Sequence, residues 1–163
     1  MTDEPRWLDE EEQRAWRAFL EATRVLFMAL DRQLQADSDI PHGYYEILVR
    51  LSEAEGRTLR MSDLADALMS SRSRVSHAIA RLEERGWVCR RECTEDRRGQ
   101  WATLTDAGYA ALAAAAPGHV AAVRRHLLDP LTREQVRQLG EISAAVRDAG
   151  PPSSGGSAAG CLH

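Results

Sequence analysis

The sequence SRSRVSHAIARLEERGWVCRRECTEDRRGQWATLT, residues 71–105, changes its hydrophobic period partway along, and this change decides the fold. Val75, Ile79 and Leu82 recur at helical spacing, which predicts a helix from about residue 72 to residue 85, ended by Gly86. Residues 87–92 and 100–104 are predicted to be two strands around a polar turn. The stretch therefore predicts a helix followed directly by a β-hairpin, which would be a wing.

A shorter helix is predicted just before this one, over residues 63–68, with Ser62 as its cap. Ser70 or Ser71 can cap the helix that follows. Two short helices joined by a few residues form a helix-turn-helix pattern. With a further helix that begins near Pro41 and a short extended piece at residues 58–60, the pattern predicts a winged helix-turn-helix lobe over residues 41–105.

The second helix of the pair has one face that suits a major groove. Counting about 100° per residue, the face opposite the apolar stripe holds small and polar residues flanked by arginine. Small side chains let a helix approach base edges, and arginine or histidine can donate hydrogen bonds to guanine or phosphate. We therefore predict DNA contacts from Arg72, Ser73, Arg74, Ser76 and His77, with Arg72 nearer the buried edge and better placed for phosphate. A protein-binding module can carry a similar helix, so this face alone leaves both interpretations open.

The hairpin turn adds a second basic feature, Asp96-Arg97-Arg98. An arginine at the tip of a wing can enter the minor groove, where narrow A·T-rich sequence concentrates negative potential. Asp96 is best interpreted as a partner that orients Arg98. The turn therefore favours DNA over protein as the ligand of the lobe.

Helices are predicted on both sides of the lobe, over residues 8–36 and 106–148. The first carries a wide apolar stripe, which needs a partner surface. The second region is predicted to be interrupted at Pro117-Gly118, with a last helix starting at Leu131-Thr132. The predicted architecture is one mainly α-helical domain with a small β-wing over residues 1–148, followed by a disordered tail over residues 149–163.

The distribution of charge agrees with one basic face on an acidic body. The chain has 163 residues and a net charge of −4, all its basic residues being arginine. Residues 70–98 nevertheless hold eight arginines against five acidic residues. A local excess of this kind is typical of a protein that meets phosphate with one surface only.

Other classes of protein lack support in the sequence. There is no apolar run of about 18 residues and no secretory signal pattern, so we expect a cytoplasmic protein without a membrane span. The three cysteines have no disulfide-framework or zinc spacing. Because phosphate-binding glycine loops and His-Glu-x-x-His are also missing, we expect no enzyme activity, cofactor or metal.

These residues resemble the MarR family of bacterial regulators. The similar segments are Ser71–Ser76, Arg81–Glu83, Gly86–Val88, the wing Asp96–Arg98, and Leu104-Thr105 with Gly108. In element order the resemblance extends over about residues 8–148. The wing and the Leu-Thr-x-x-Gly step are its most specific parts.

The resemblance implies a homodimer in which the outer helices, 8–36 and 106–148, intertwine. It also implies that the protein binds a pseudo-palindromic operator in double-stranded DNA, as a repressor, with Arg98 as the wing arginine and Asp96 as its salt-bridge partner. A small effector, phenolic or aromatic, would release the DNA. Candidates to line the effector pocket are Trp16, His42, Tyr44 and Tyr45, although such aromatic residues also serve as ordinary core. The alternative function is a winged-helix module that binds proteins.

Overall fold

The computed structural model describes residues 5–92 and 99–150. Its helices are α1 (Glu10–Ser38), α2 (His42–Glu53), α3 (Met61–Ala67), α4 (Arg72–Glu84), α5 (Asp106–Val123) and α6 (Arg133–Asp148). The strands are β1 (Thr58–Arg60), β2 (Val88–Glu92) and β3 (Gln100–Leu104), with a short 3-10 turn at Glu55–Arg57 and a π-type turn at Arg124–Leu128. The predicted fold, mainly α with a small β-wing, is confirmed. No helix in these two ranges is long and apolar enough to cross a membrane.

The start of α1 is fixed by a capping box. The Asp9 side chain accepts from the Glu12 N–H, and the Glu12 side chain accepts in return from the Asp9 N–H. The helix ends at Ser38, and its C-cap residue, Asp39, has a left-handed φ of 53°. Only Leu30 and Leu34, near its C-terminus, are buried. The N-terminal part of the predicted apolar stripe is therefore largely exposed, with Trp16 51% and Phe19 54% exposed.

The helix-turn-helix consists of α3 and α4. Of the two caps predicted for α4, Ser70 and Ser71, the structure uses Ser71, whose hydroxyl accepts from the Arg74 N–H at 3.4 Å. The cap predicted for α3 is wrong: the helix begins at Met61, and Ser62 lies in its first turn with its hydroxyl bonded to Asp63. Extended backbone at Arg60, the last residue of β1, leads straight into α3, so no side-chain cap is used.

The three strands form an antiparallel sheet in the order β1-β3-β2. Thr105 ties the sheet to the end of α4, since its N–H donates to the Trp87 carbonyl and its hydroxyl to the Gly86 carbonyl. A Cβ at position 108 would lie 2.1 Å from the Trp87 carbonyl oxygen. The Leu-Thr-x-x-Gly step is therefore the place where α5 crosses the chain entering β2, and only glycine fits there.

The interruption predicted at Pro117-Gly118 is wrong, because α5 continues through both residues. Proline removes one helical hydrogen bond, to the Ala113 carbonyl, but Pro117 itself is exposed to solvent. Packing of the other side of α5 holds the helix together, with Leu112, Ala115 and Ala122 buried. Gly118 also allows close approach to α1, since a Cβ there would lie 3.0 Å from Gln33 Nε2.

The core lies mainly in the lobe and extends to residues of α1 and α5 packed against it. Its fully buried large side chains come from the end of α1, the loop that follows it, α2, α3 and α4: Leu34, Ile40, Ile47, Leu48, Leu51, Leu64, Ile79 and Leu82. By contrast, α6 buries none of its residues within the protomer.

Candidate nucleic-acid interface

The apolar side of α4 faces the core, and its other side faces solvent. Val75, Ala78, Ile79 and Leu82 are buried. The solvent side exposes four of the five residues proposed for DNA contact, and the fifth, Ser76, is half-buried: Arg72, Ser73, Arg74, Ser76 and His77. The residues predicted to lie on one polar face of α4 are therefore together on the accessible side of the helix.

The arginines of α4 differ in their partners. Within the described residues, neither Arg72 nor Arg74 is paired with a carboxylate. Arg81 donates to Glu84 at 2.8 Å, and this hydrogen bond, with the charge of Glu84, raises the pKa of Arg81. Positive charge without an internal partner is thus concentrated at the N-terminal end of α4, where a helix in a major groove makes its base contacts.

A groove of about 260 Å³ lies between α2 and α4 beside this surface. Its lining is partly polar and includes Tyr44, Glu46, Ser70 and Arg74. Tyr44, named with Tyr45 as a candidate for the effector pocket, lines this groove, whereas Tyr45 is buried. Successive helical residues point about 100° apart, so neighbours in sequence can serve different surfaces.

The wing sheet stands directly after α4. Strand β2 pairs with β3 from Val88↔Leu104 to Glu92↔Gln100. Cys93, Asp96, Arg97 and Arg98, between these strands, lie outside the described residues, so the proposed salt bridge and minor-groove contact stay predictions.

Glu83 is a residue at this interface that the sequence reasoning missed. Its carboxylate accepts from the Arg90 N–H at 2.8 Å and from Arg90 Nε at 2.6 Å, which links α4 to β2. The signal was present in the strand period: Arg90 is two residues from buried Val88 and so shares its inward face. An arginine on an inward face needs a carboxylate partner.

Of the four candidates for the effector pocket, the structure brings together His42 and Tyr45. His42 lies against Phe27 with ring centroids 5.5 Å apart, and His119 lies 5.8 Å from His42 and 4.4 Å from Tyr45. These four residues, the aromatic cluster, join α1, α2 and α5. Trp16 lies apart from the cluster, toward the N-terminal end of α1, where it stacks on Phe19 and is half-exposed.

The aromatic cluster is electrostatically unusual. Burial, together with the nearby His42, lowers the pKa of His119, and burial raises the pKa of Tyr45. His119 Nδ1 is buried and has no hydrogen-bond partner among the described residues. His42 has polar partners: its backbone N–H donates to Asp31 Oδ1 at 2.8 Å, and its ring Nδ1 lies 3.8 Å from Glu46. In the described residues, no three His, Cys, Asp or Glu side chains are grouped to hold a metal.

A helix-turn-helix whose second helix exposes a basic face and leads into a three-stranded sheet defines a winged helix-turn-helix protein. The model of the MarR family matches residues 40–99. Among solved structures, the chain is similar to Sco3205 from Streptomyces coelicolor, a MarR family transcriptional regulator in complex with DNA. The two are 52% identical, with a TM-score of 0.87, over 94% of this chain and 96% of that one.

A second structure, AbsC, a MarR family regulator also from Streptomyces coelicolor, is 45% identical with a TM-score of 0.79, over 88% of this chain and 99% of that one. The curated transcriptional repressor MprA of Escherichia coli is 39% identical over 62 residues, which is 38% of this chain and 35% of MprA. The chain thus matches about a third of the length of this curated relative. It belongs to the MarR family of transcriptional regulators, which confirms the family expected from the sequence.

Proposed function

We propose that this protein is a transcriptional repressor that binds a pseudo-palindromic operator in double-stranded DNA as a homodimer, each protomer placing α4 in a major groove. The observation that supports this most is the exposed N-terminal face of α4, where Arg72 and Arg74 flank small residues. In this assignment Ser73, Arg74, Ser76 and His77 face base edges, and Arg72 contacts phosphate. Sco3205, similar over nearly the whole chain, was solved in complex with DNA.

The wing completes the proposed DNA contact. Arg97 and Arg98 follow β2 and precede β3, the hairpin that stands next to α4. Arg98 enters the minor groove, with Asp96 holding it in place. One lobe, residues 41–105, thereby contacts two grooves, which supports sequence-specific DNA binding over a protein-docking module.

The second protomer covers the outer helices, 8–36 and 106–148. Large apolar side chains are exposed on α1 and α6: Trp16, Phe19, Val25, Met28, Ile142 and Val146. Exposed apolar surface spread over two helices marks an association surface. A second copy of this chain is the occupant proposed here, because a two-fold dimer also matches a pseudo-palindromic site.

The aromatic cluster is the proposed site of a phenolic or aromatic effector. It lies where α1 and α5 meet the first helix of the lobe, so a ligand there would change the angle between the outer helices and α4. His42, Tyr45 and His119 offer polar atoms beside apolar rings.

The chain acts as a regulator and not as an enzyme, in the cytoplasm.

Selection from a random duplex library tests the proposal. We expect enrichment of an inverted repeat whose half-sites lie one helical turn apart, about 10 base pairs, with affinity falling steeply as salt rises. If no sequence is enriched at low salt, or if affinity does not depend on salt, the DNA-binding proposal is wrong.

Arg74→Ala tests the assignment of the α4 face on the selected operator. It should cost roughly 1–3 kcal/mol of binding and relax the preference among operator variants. The matched control is Arg50→Ala, which removes the same charge from an arginine on α2 already paired with Glu53 at 3.9 Å. An equal loss on all sequences would reduce Arg74 to a phosphate contact.

A further inference from the structure

Glu83 holds a backbone group and a side chain of the same residue. One carboxylate oxygen accepts from the Arg90 N–H at 2.8 Å, and the other accepts from Arg90 Nε at 2.6 Å. The side chains are mostly withdrawn from water, with 27% of Glu83 and 31% of Arg90 exposed. Charge-assisted hydrogen bonds in such a setting are stronger and better oriented than exposed ion pairs.

The pair spans the joint between the recognition helix and the wing. Only Arg85, Gly86 and Trp87 separate α4 from β2, and Gly86 has a φ of 71°. Because this connection does not itself fix the angle of the hairpin relative to α4, contacts between the two elements must set that angle. Val88 anchors the start of β2 in the core, and Arg90, two residues further on the same face, provides the next anchor.

The outer end of the hairpin has less support than its base. Strand β1 pairs with β3 from Thr58↔Thr103 to Arg60↔Trp101, whereas β2 and β3 continue to Glu92↔Gln100. Beyond Trp101 the sheet is therefore two-stranded. The bond from Glu83 acts on the row Arg90↔Ala102, just inside this end.

We propose that Glu83 is a positioning residue that fixes the angle between α4 and the wing, so that the helix and the hairpin tip reach their two grooves together. The inference rests on the proposed function, since it needs both grooves to be contacted. Glu83 touches no DNA in this account and acts through Arg90. An unpaired Glu83 carboxylate would repel DNA phosphate, and its bonds to Arg90 offset this repulsion.

Footprinting with dimethyl sulfate distinguishes the major-groove contact from the minor-groove contact in one experiment. The reagent methylates guanine N7 in the major groove and adenine N3 in the minor groove, so protein bound in a groove protects the corresponding atom. The operator selected above is footprinted with wild type and with Glu83→Ala at saturating protein. We expect Glu83→Ala to keep the guanine protection and to lose most of the adenine protection, with roughly tenfold weaker binding.

Glu84→Ala is the matched control, because it removes the same charge one residue further along α4. Glu84 pairs with Arg81 in an exposed setting, the side chains being 62% and 55% exposed. This control should protect both grooves as wild type does. Glu83→Gln, which keeps an acceptor for the Arg90 N–H, should restore adenine protection in part, and it replaces Glu83→Ala if that variant does not fold.

Two results overturn the positioning role while leaving the proposed function intact. In one, Glu83→Ala protects both grooves like wild type. In the other, both protections fall in parallel, which would mean a general loss of the lobe's structure. If wild type itself protects guanine but not adenine, the wing contact of the proposed function is wrong, and the positioning role is overturned with it.

Discussion

The lobe and the outer helices differ in how much of their apolar surface they bury within one protomer. In the described part of residues 41–105, Met69 is the one large apolar side chain that is strongly exposed, at 91%. The outer helices expose many, among them Val25, Ile142 and Val146, each more than 60% exposed. The lobe thus buries its apolar residues within one protomer, whereas the outer helices leave theirs exposed, and in the proposed dimer a second copy covers them.

Because of this difference, we expect apolar burial in the two regions to contribute to stability in two different ways. Burial within the lobe contributes at any protein concentration, since its partners belong to the same chain. Burial between protomers contributes by mass action and depends on concentration. Substitutions of one residue type in the two regions should therefore differ in the concentration dependence of their effects.

The largest effect is expected from Ile79→Ala, which opens a cavity in a fully buried site of α4. It should lower the free energy of unfolding by about 2–5 kcal/mol. Its counterpart is Ile142→Ala on α6, at a position 62% exposed in the protomer. In urea unfolding, the destabilisation from Ile142→Ala should appear only at concentrations where the dimer forms. A large loss from Ile142→Ala in dilute monomer would contradict the comparison.

An intermediate effect is expected at the crossing of α5 over the lobe. Gly108→Ala places a Cβ against the Trp87 carbonyl and should destabilise by about 1–3 kcal/mol or more through overpacking. Gly43→Ala is the control in α2, where nothing lies within 4 Å, and it should stabilise by up to about 1 kcal/mol. Thermal unfolding measures both. Equal effects from the two variants would show that α5 does not constrain the lobe at this step.

The smallest effect is a pH dependence at the aromatic cluster, where the two regions meet. Because the pKa of His119 is lowered from its ordinary value of 6.5 in the folded chain, the unfolded chain takes up a proton first as pH falls. The free energy of unfolding should decrease as pH drops below about 6.5 and level off below the folded pKa.

His119→Gln removes this group and should flatten the slope in urea unfolding between pH 7 and 5. His126→Gln, at an exposed position beyond α5, should keep it. An unchanged slope in His119→Gln would assign the pH dependence to other groups.

The sequence was sufficient for what depends on local pattern. The faces of α4 and the extent of β3 follow from periodicity and were predicted, and Ser71 is one of the two residues predicted to cap α4. Pro117 was misjudged because packing along α5 offsets the local cost of proline. The Ser62 cap failed because β1 leads directly into α3.

Contacts between residues far apart in the chain could not be predicted from the sequence. His119 joins His42 and Tyr45 only through the packing of α5 on α2, across more than seventy residues. Trp16 was grouped with them as an aromatic residue, although it lies eleven residues from Phe27 on one helix, about 16 Å along its axis. The place of Tyr44 in the groove beside α4 depends on how α2 packs against α4, which the sequence does not give.

Sedimentation of the wild-type protein over a range of concentrations tests the central claim that the lobe is complete and the outer helices are not. The proposed dimer predicts a species of twice the 18.1 kDa chain mass at micromolar concentration. Ile142→Asp should convert it to a folded monomer whose lobe keeps its helical signal. A wild-type protein that stays at 18.1 kDa at these concentrations would contradict the account.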